Sequence, residues 1–148
     1  MKPVIVLLAL SAFAVAAPPA KKISNREFPD GSGSSKQIDP DKHQSIEIFY
    51  DAGRKPTYKI VYKLDERLQP MSGIYYNNAG VVFQKSTYKL DGADRIVQEV
   101  VYDAKDHLVC TKNFIYGTRA GQTKVIGIDT YDSSGALVRP QQGSGKKK

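Results

Sequence analysis

The tetrapeptide Tyr62-Lys63-Leu64-Asp65 recurs 26 residues later as Tyr88-Lys89-Leu90-Asp91. Tyrosines recur around it every 12 to 15 residues, at Tyr50, Tyr62, Tyr76, Tyr88, Tyr102, Tyr116 and Tyr131. Taken in pairs, the first two units share one length, because Tyr50 to Tyr76 and Tyr76 to Tyr102 are each 26 residues apart, whereas the third pair, Tyr102 to Tyr131, runs 29 residues. A fixed period of this kind indicates a repeated supersecondary unit. We therefore predict a two-strand repeat of about 26 residues.

Turn-forming residues follow each repeated tyrosine, as in Asp91-Gly92-Ala93-Asp94 and Asp132-Ser133-Ser134-Gly135. Aspartate and asparagine cap tight turns, and glycine supplies positive φ. The runs between the turns, such as 96–102, are rich in valine, isoleucine, threonine and tyrosine, which favour strands. The sequence predicts an all-β fold: an antiparallel up-and-down meander of about eight strands. It leaves open whether the strands form an open single sheet or a closed small barrel.

The alternation of side chains predicts two unlike faces. Even-numbered positions collect six of the seven repeated tyrosines together with isoleucine and valine, which predicts that these tyrosines anchor the repeats from one buried face. Tyr131 and Val125 are odd-numbered, which predicts a bulge or a differently packed strand in the last unit. Stacking of the tyrosines on sugars or bases is the alternative. Odd-numbered positions carry Lys59, Lys63, Lys85 and Lys89, with Glu99 among them. We expect this mixed face to be the candidate surface for an anionic partner.

The two ends of the chain differ in character from its middle. Met1 and Lys2 precede an apolar run from Val4 to Ala16, which is typical of a secretory signal peptide, and we predict residues 1–16 as that signal. An uncleaved anchor is the alternative. Residues 17–44 are polar and rich in turn-forming residues, which predicts a flexible leader. Residues 45–139 are the predicted β-repeat domain, and residues 140–148 a basic flexible tail.

The net charge and the cysteine content limit the kinds of partner and of disulfide that the chain can have. The formal net charge is +7, and removing Lys2 with the signal leaves +6. An excess of positive charge attracts anionic polymers, although it also serves solubility alone. Cys110 is the single cysteine, so no internal disulfide can form, and an intermolecular one stays open. We expect a secreted or periplasmic protein without a transmembrane span once the signal is removed.

No recognisable catalytic or cofactor-binding constellation is present in the sequence. His43 and His107 are far apart, and His107 and Cys110 are three residues apart on a predicted strand, which places them on opposite faces. The aspartates recur at turns, where capping explains them without any bound ion. We therefore expect no enzyme activity, no cofactor and no metal site.

The Tyr-Asp-x-x-Gly pattern of the turns resembles the tandem hairpin repeats of YD-type and MORN-like proteins. It is carried by Tyr50 to Gly53, Tyr76 to Gly80 and Tyr131 to Gly135, within the stretch from Ile46 to Val138. The resemblance implies a repeated hairpin scaffold that binds partners through its surface. It transfers no catalytic residue to this chain.

Two functional hypotheses follow. The first is an exported, non-catalytic β-repeat scaffold at the cell surface or in the periplasm, which presents its lysines to an anionic surface polymer or a protein partner. The alternative is a small barrel that carries an apolar ligand in an enclosed cavity. An open sheet would also leave edge strands available for self-association.

Overall fold

The computed structural model describes residues 21–119 and 121–138 of the chain. The predicted signal peptide and the basic tail 140–148 lie outside these residues. The described part is all-β and forms ten strands: β1 (Lys22–Glu27), β2 (Gly33–Asp39), β3 (Gln44–Tyr50), β4 (Pro56–Leu64), β5 (Pro70–Asn77), β6 (Val82–Leu90), β7 (Ile96–Asp103), β8 (Leu108–Arg119), β9 (Gln122–Asp132) and β10 (Leu137–Val138). No helix in this part is long and apolar enough to cross a membrane.

The ten strands form one antiparallel sheet whose spatial order is the order of the chain. This confirms the predicted up-and-down meander. The sheet is open, with β1 at one edge and β10 at the other, so the closed-barrel version of the prediction was wrong. Within the described residues each strand contacts only its sequence neighbours, so the sheet is a single layer. The enclosed cavity needed by the apolar-ligand carrier is therefore missing from this sheet.

Residues 22–39, which the sequence analysis assigned to a flexible leader, form β1 and β2. That part of the leader prediction was wrong, and it accounts for the count of ten strands rather than eight. The prediction required alternating apolar residues, and this segment has few. In a single-layer sheet a polar strand can still be stable, because its backbone groups pair with a neighbour while its side chains remain in water. The ladder runs from Lys22 opposite Ile38 to Glu27 opposite Gly33.

Six hairpins share one turn geometry and one kind of first residue; the β1–β2 hairpin, from Phe28 to Ser32, makes the same backbone hydrogen bonds but begins with phenylalanine. The first turn residue donates its N–H to the carbonyl four residues on, and the fourth residue donates its N–H back to the first carbonyl. In the six hairpins the first residue is aspartate or asparagine: Asp51, Asp65, Asn77, Asp91, Asp103 and Asp132. In each turn its Oδ1 accepts a hydrogen bond from the N–H four residues on. The predicted capping role of these residues is thus present in the structure.

The fourth turn residue has a positive φ in every one of the six hairpins, between 60° and 84°. The sequence analysis expected glycine to supply this conformation. It does so at Gly80 and Gly135, but Arg54, Leu68, Asp94 and Asp106 adopt it elsewhere. A turn of this kind adds one bulged residue to the hairpin.

Hydrogen bonds lower the pKa of three turn carboxylates, Asp91, Asp103 and Asp132, below the usual value. The largest cause is the Arg95 side chain for Asp91, the His107 backbone N–H for Asp103 and the Ser134 hydroxyl for Asp132.

A given face of the sheet is formed by odd-numbered residues in one strand and by even-numbered residues in the next, because of the hairpin registers. Ser45 of β3 lies opposite Tyr62 of β4, and Tyr62 lies opposite Gly73 of β5. Odd residues therefore share a face with even residues of the neighbouring strands. The sequence analysis treated parity as constant up to the last unit, so its division of the even- and odd-numbered residues was wrong. Counting within single strands could not reveal a reversal set by the turns.

One face, termed the packed face, holds all seven side chains that are buried in the described residues. They are Ser34, Ser45, Ile60, Leu64, Ser86, Glu99 and Val101. With no second layer above them, they are covered by large neighbours on the same face. The ring centroids of Tyr62 in β4 and Tyr88 in β6 lie 6.2 Å apart across β5. Two strand spacings amount to about 9.6 Å, so the rings lean together over Gly73.

Candidate binding face

The opposite surface, termed the lysine face, carries all four lysines that the sequence analysis selected. Lys59 and Lys63 lie in β4 and Lys85 and Lys89 in β6. Val61 of β4 lies opposite Ile74 of β5, which lies opposite Lys85 of β6. Because alternate residues of a strand share a face, this ladder places the four lysines together.

The lysines form a zigzag along two neighbouring repeats. Lys85 follows Lys59 by 26 residues, and Lys89 follows Lys63 by the same interval. The registers place Lys85 level with Val61, midway between Lys59 and Lys63 along the strand direction. The order along the strands is therefore Lys59, Lys85, Lys63, Lys89. From ideal strand dimensions, successive α-carbons in this order are about 12 Å apart. The result is a cationic stripe about 20 Å long that follows the strands.

Carboxylates of β3 to β8 lie away from this stripe. Glu47 and Glu99 are on the packed face, because they pair with Ile60 and Tyr88. Glu99 was expected among the lysines, and that placement was wrong for the parity reason given above. Within the described residues, no aspartate or glutamate of β3 to β8 projects onto the lysine face. No carboxylate of these strands therefore neutralises the stripe, although Asp106 in the β7–β8 turn pairs with Lys85.

Three of the lysines are exposed and one is tethered. The Lys59 ammonium lies 4.9 Å from the ring centroid of Tyr76, a cation–π contact that leaves its charge available. Lys63 and Lys89 are exposed and have no ion-pair partner among the described residues. Lys85 lies 2.7 Å and 2.8 Å from the two carboxylate oxygens of Asp106, which reaches it from the β7–β8 turn.

Three shallow open grooves border the stripe; the first is lined by Lys59 with Ile48 and Tyr50, and two lie further along it. One is lined by Lys85 and Asp106 together with Tyr102 and Thr87. The other is lined by Lys42, His43, Gln44, Val61, Lys63, Ser72 and Ile74, and it adds a fifth lysine to the surface. Lys42 was not among the lysines selected from the sequence, because it lies in the segment 17–44 that was predicted to be a flexible leader. Apolar floors with cationic rims suit a ligand that is both extended and anionic.

The seven repeated tyrosines do not share one face. Tyr62, Tyr88 and Tyr116 lie on the packed face, whereas Tyr50, Tyr76, Tyr102 and Tyr131 lie on the lysine face. The predicted arrangement of the six even-numbered tyrosines on a single buried face was therefore wrong, and the cause is again the reversal at each hairpin. Tyr116 is anchored by donating its hydroxyl to the Ile96 carbonyl at 3.0 Å. Tyr76 and Tyr102 instead add aromatic surface beside the lysines.

The packed face contains a polar network that the sequence analysis missed. The Tyr75 and Tyr88 hydroxyl oxygens are 2.9 Å apart. Glu99 accepts hydrogen bonds from Ser86 at 2.8 Å and from Lys112 at 3.0 Å. Burial raises the pKa of both tyrosines above their usual value, so their hydroxyls remain protonated. The network joins side chains of neighbouring strands on the packed face, and it therefore has the character of a structural core.

Metal-binding residues do not converge in the described part of the chain, where no three histidine, cysteine, aspartate or glutamate side chains form a group. The exposed His107 ring contacts Asp103 through Nδ1 at 2.9 Å. Cys110 is half-buried and lies opposite Val101 on the packed face.

No family model matches the chain, and no curated protein matches it. Among solved structures, the chain is similar to a mutant of TarM from S. aureus in complex with fondaparinux, alpha-GlcNAc-glycerol and UDP. The identity is 14% and the TM-score 0.32; the match covers 78% of this chain and 20% of that one. The chain thus spans about a fifth of the protein it matches.

Proposed function

We propose that this protein is an exported, non-catalytic scaffold that binds a linear anionic polymer along its lysine face, at the cell surface or in the periplasm. One observation carries the proposal: four lysines of β4 and β6 line one stripe of the sheet, while the glutamates of the neighbouring strands β3 and β7 lie on the other face. Export rests on the apolar segment that ends at Ala16.

The stripe favours an extended ligand over a compact one. Its lysines are spread along the strands, so a small anion would contact only one of them at a time. A polymer lying along the strands would contact several, and the flexible lysine stems would adapt to its charge spacing. Tyr76 and Tyr102 would pack against uncharged parts of the polymer, such as sugar rings. No base-reading or catalytic group is required.

Binding of a polyphosphate and of a polyuronate to the purified protein tests this proposal. By the rule for single-stranded polyanions, four lysine contacts give a slope of about −3 when the logarithm of affinity is plotted against the logarithm of salt concentration. The double variant Lys63→Glu with Lys89→Glu is expected to weaken binding at least about tenfold and to flatten this slope. The matched control is Lys55→Glu with Lys105→Glu, two exposed turn lysines with the same change in net charge.

The variant Asp106→Asn provides the opposite change. It releases Lys85 from its ion pair, and asparagine tolerates the positive φ of 68° at this position. We expect tighter polymer binding without loss of stability. Equal weakening by the Lys63/Lys89 and Lys55/Lys105 variants would show that only net charge attracts the polymer, and would refute a binding face.

A further inference from the structure

The edge of the sheet at β9 is largely unpaired. β10 covers only Thr130 and Tyr131, so residues 122–129 have no neighbour on that side among the described residues. Three large apolar side chains are exposed there: Val125 at 44%, Ile126 at 66% and Ile128 at 52%. An exposed apolar edge strand is a ready template for another strand.

The two edges of the sheet differ in how well they resist such pairing. β1 has a single large apolar residue, Ile23, and it carries Lys22, Arg26 and Glu27, as protected edges do. Residues 124–129 of β9 hold only one lysine and one aspartate, placed symmetrically about the bond between Ile126 and Gly127. Self-pairing would therefore bring unlike charges together.

We propose that β9 pairs antiparallel with β9 of a second copy of this chain, about a two-fold axis normal to the sheet between Ile126 and Gly127. In this register Lys124 lies opposite Asp129 of the second copy, and Val125 lies opposite Ile128 of the second copy. Each pair occurs twice, because the contact is symmetric. The contact is independent of the polymer-binding proposal.

The faces of the sheet agree with this register. Val125 and Ile128 pair within the chain with Tyr116 and Phe114, and both lie on the packed face. Lys124 and Asp129 pair within the chain with Gly117 and Asn113, so both lie on the lysine face. Each proposed contact therefore joins side chains on the same side of the joined sheet, as cross-strand neighbours must be.

The backbone agrees as well. Asp132 donates its N–H to the Ala136 carbonyl, so its backbone groups point away from β8. Alternation gives Thr130 and Ile128 the same outward direction. Ile126 is an extra residue opposite the step from Ile115 to Tyr116, and such a bulge shifts the alternation by one, which turns Val125 outward. Val125 and Ile128 can thus exchange both of their backbone hydrogen bonds between copies.

β10 limits the contact to six residues. In the proposed register Thr123 of the second copy would meet Thr130, where Val138 is already paired. The two copies therefore join along 124–129 alone, and each β10 meets the end of the contact.

Sedimentation velocity of the purified protein over a range of concentrations tests the contact. We expect a monomer–dimer equilibrium for the natural sequence. Lys124→Asp alone and Asp129→Lys alone each place like charges opposite one another at two sites, and each should weaken the dimer about tenfold or more. The double variant carrying both substitutions reverses both charges and should restore it. Neither side chain has an ion-pair partner within the described chain, so folding should be unaffected.

A monomer at all concentrations would overturn the proposal, as would a dimer that the single charge changes leave intact. Failure of the double variant to recover would reject this register. A dimer that forms only after residues 139–148 are removed would show that the chain's own tail occupies the edge in the full protein. Each of these results leaves the polymer-binding proposal standing.

Discussion

Replacing Gly73 with valine would disturb the contact that closes the packed face over β5. A β-carbon on Gly73 would lie 3.1 Å from the Tyr88 hydroxyl oxygen and 3.4 Å from Cδ1 of Tyr62. Cγ2 of Ile60 would be 3.2 Å away. Valine adds two methyl groups beyond this carbon, so the two tyrosine rings must separate.

The magnitude follows from three contributions to the free energy of unfolding. Overpacking of a filled site costs about 1–3 kcal/mol. Moving Tyr88 breaks its hydrogen bond with Tyr75, which contributes about 1 kcal/mol. Replacing a glycine within a strand raises the free energy of unfolding by about 0.5–1 kcal/mol, because the unfolded chain loses conformational freedom. We therefore expect Gly73→Val to lower the stability by about 2 kcal/mol.

Urea unfolding followed by near-ultraviolet circular dichroism measures this loss and reports the tyrosine environment directly. The matched control is Gly92→Val, in the β6–β7 turn, where an added β-carbon meets no atom within 4 Å. Its stability should stay within about 0.5 kcal/mol of the natural protein. If Gly73→Val behaved like this control and kept its tyrosine signal, the rings would not depend on the glycine, and the account of the packed face would fail.

Two further predictions concern carboxylates. Glu99→Gln keeps the side-chain shape but removes the charge that pairs with Lys112, so it should lower the free energy of unfolding in urea by about 2 kcal/mol. The exposed control Glu66→Gln should lower it by about 0.5 kcal/mol or less. Equal losses would contradict the network. The folded-state pKa values of Asp91, Asp103 and Asp132 are lowered, so their stabilisation is fully present above about pH 4 and is lost as the pH falls through the folded values. Thermal unfolding against pH should therefore show a steeper acid loss for the natural protein than for the triple asparagine variant, and parallel curves would exclude this linkage.

Local patterns in the sequence were sufficient to predict the meander, because strands and turns alternate at short range. The aspartate and asparagine caps were identifiable, since each acts within its own turn. The assignment of β1 and β2 failed because their stability comes from backbone pairing rather than from apolar side chains. Long-range geometry was also hidden: Gly73 has no sequence signal that distinguishes it from a turn glycine, although two rings close over it.

The residues of the candidate site were predictable only where they occupy matching positions of the 26-residue repeat. Lysines at matching positions of β4 and β6 are two strands apart, so the reversal of parity at each hairpin occurs twice and cancels. Tyrosines of neighbouring strands are one strand apart, so the same reversal separates them onto different faces. A period of 26 residues therefore identifies residues that share a face, whereas the spacing of 12 to 15 residues between successive tyrosines does not.

The serine–glutamate pairs of the packed face repeat after 52 residues, whereas the lysines repeat after 26. The contacts that stabilise the sheet therefore lie on a different face from the lysines. Ser34 donates to Glu47 at 2.8 Å, and Ser86 donates to Glu99 at the same distance, 52 residues further on. Between these two pairs, the equivalent positions are Ile60 and Gly73, which make the apolar contact under the tyrosine rings. Polar and apolar units thus alternate on the packed face. Because the network and ring contacts lie there, the exposed lysines on the other face can change without removing them, and a binding specificity can evolve there independently of the fold.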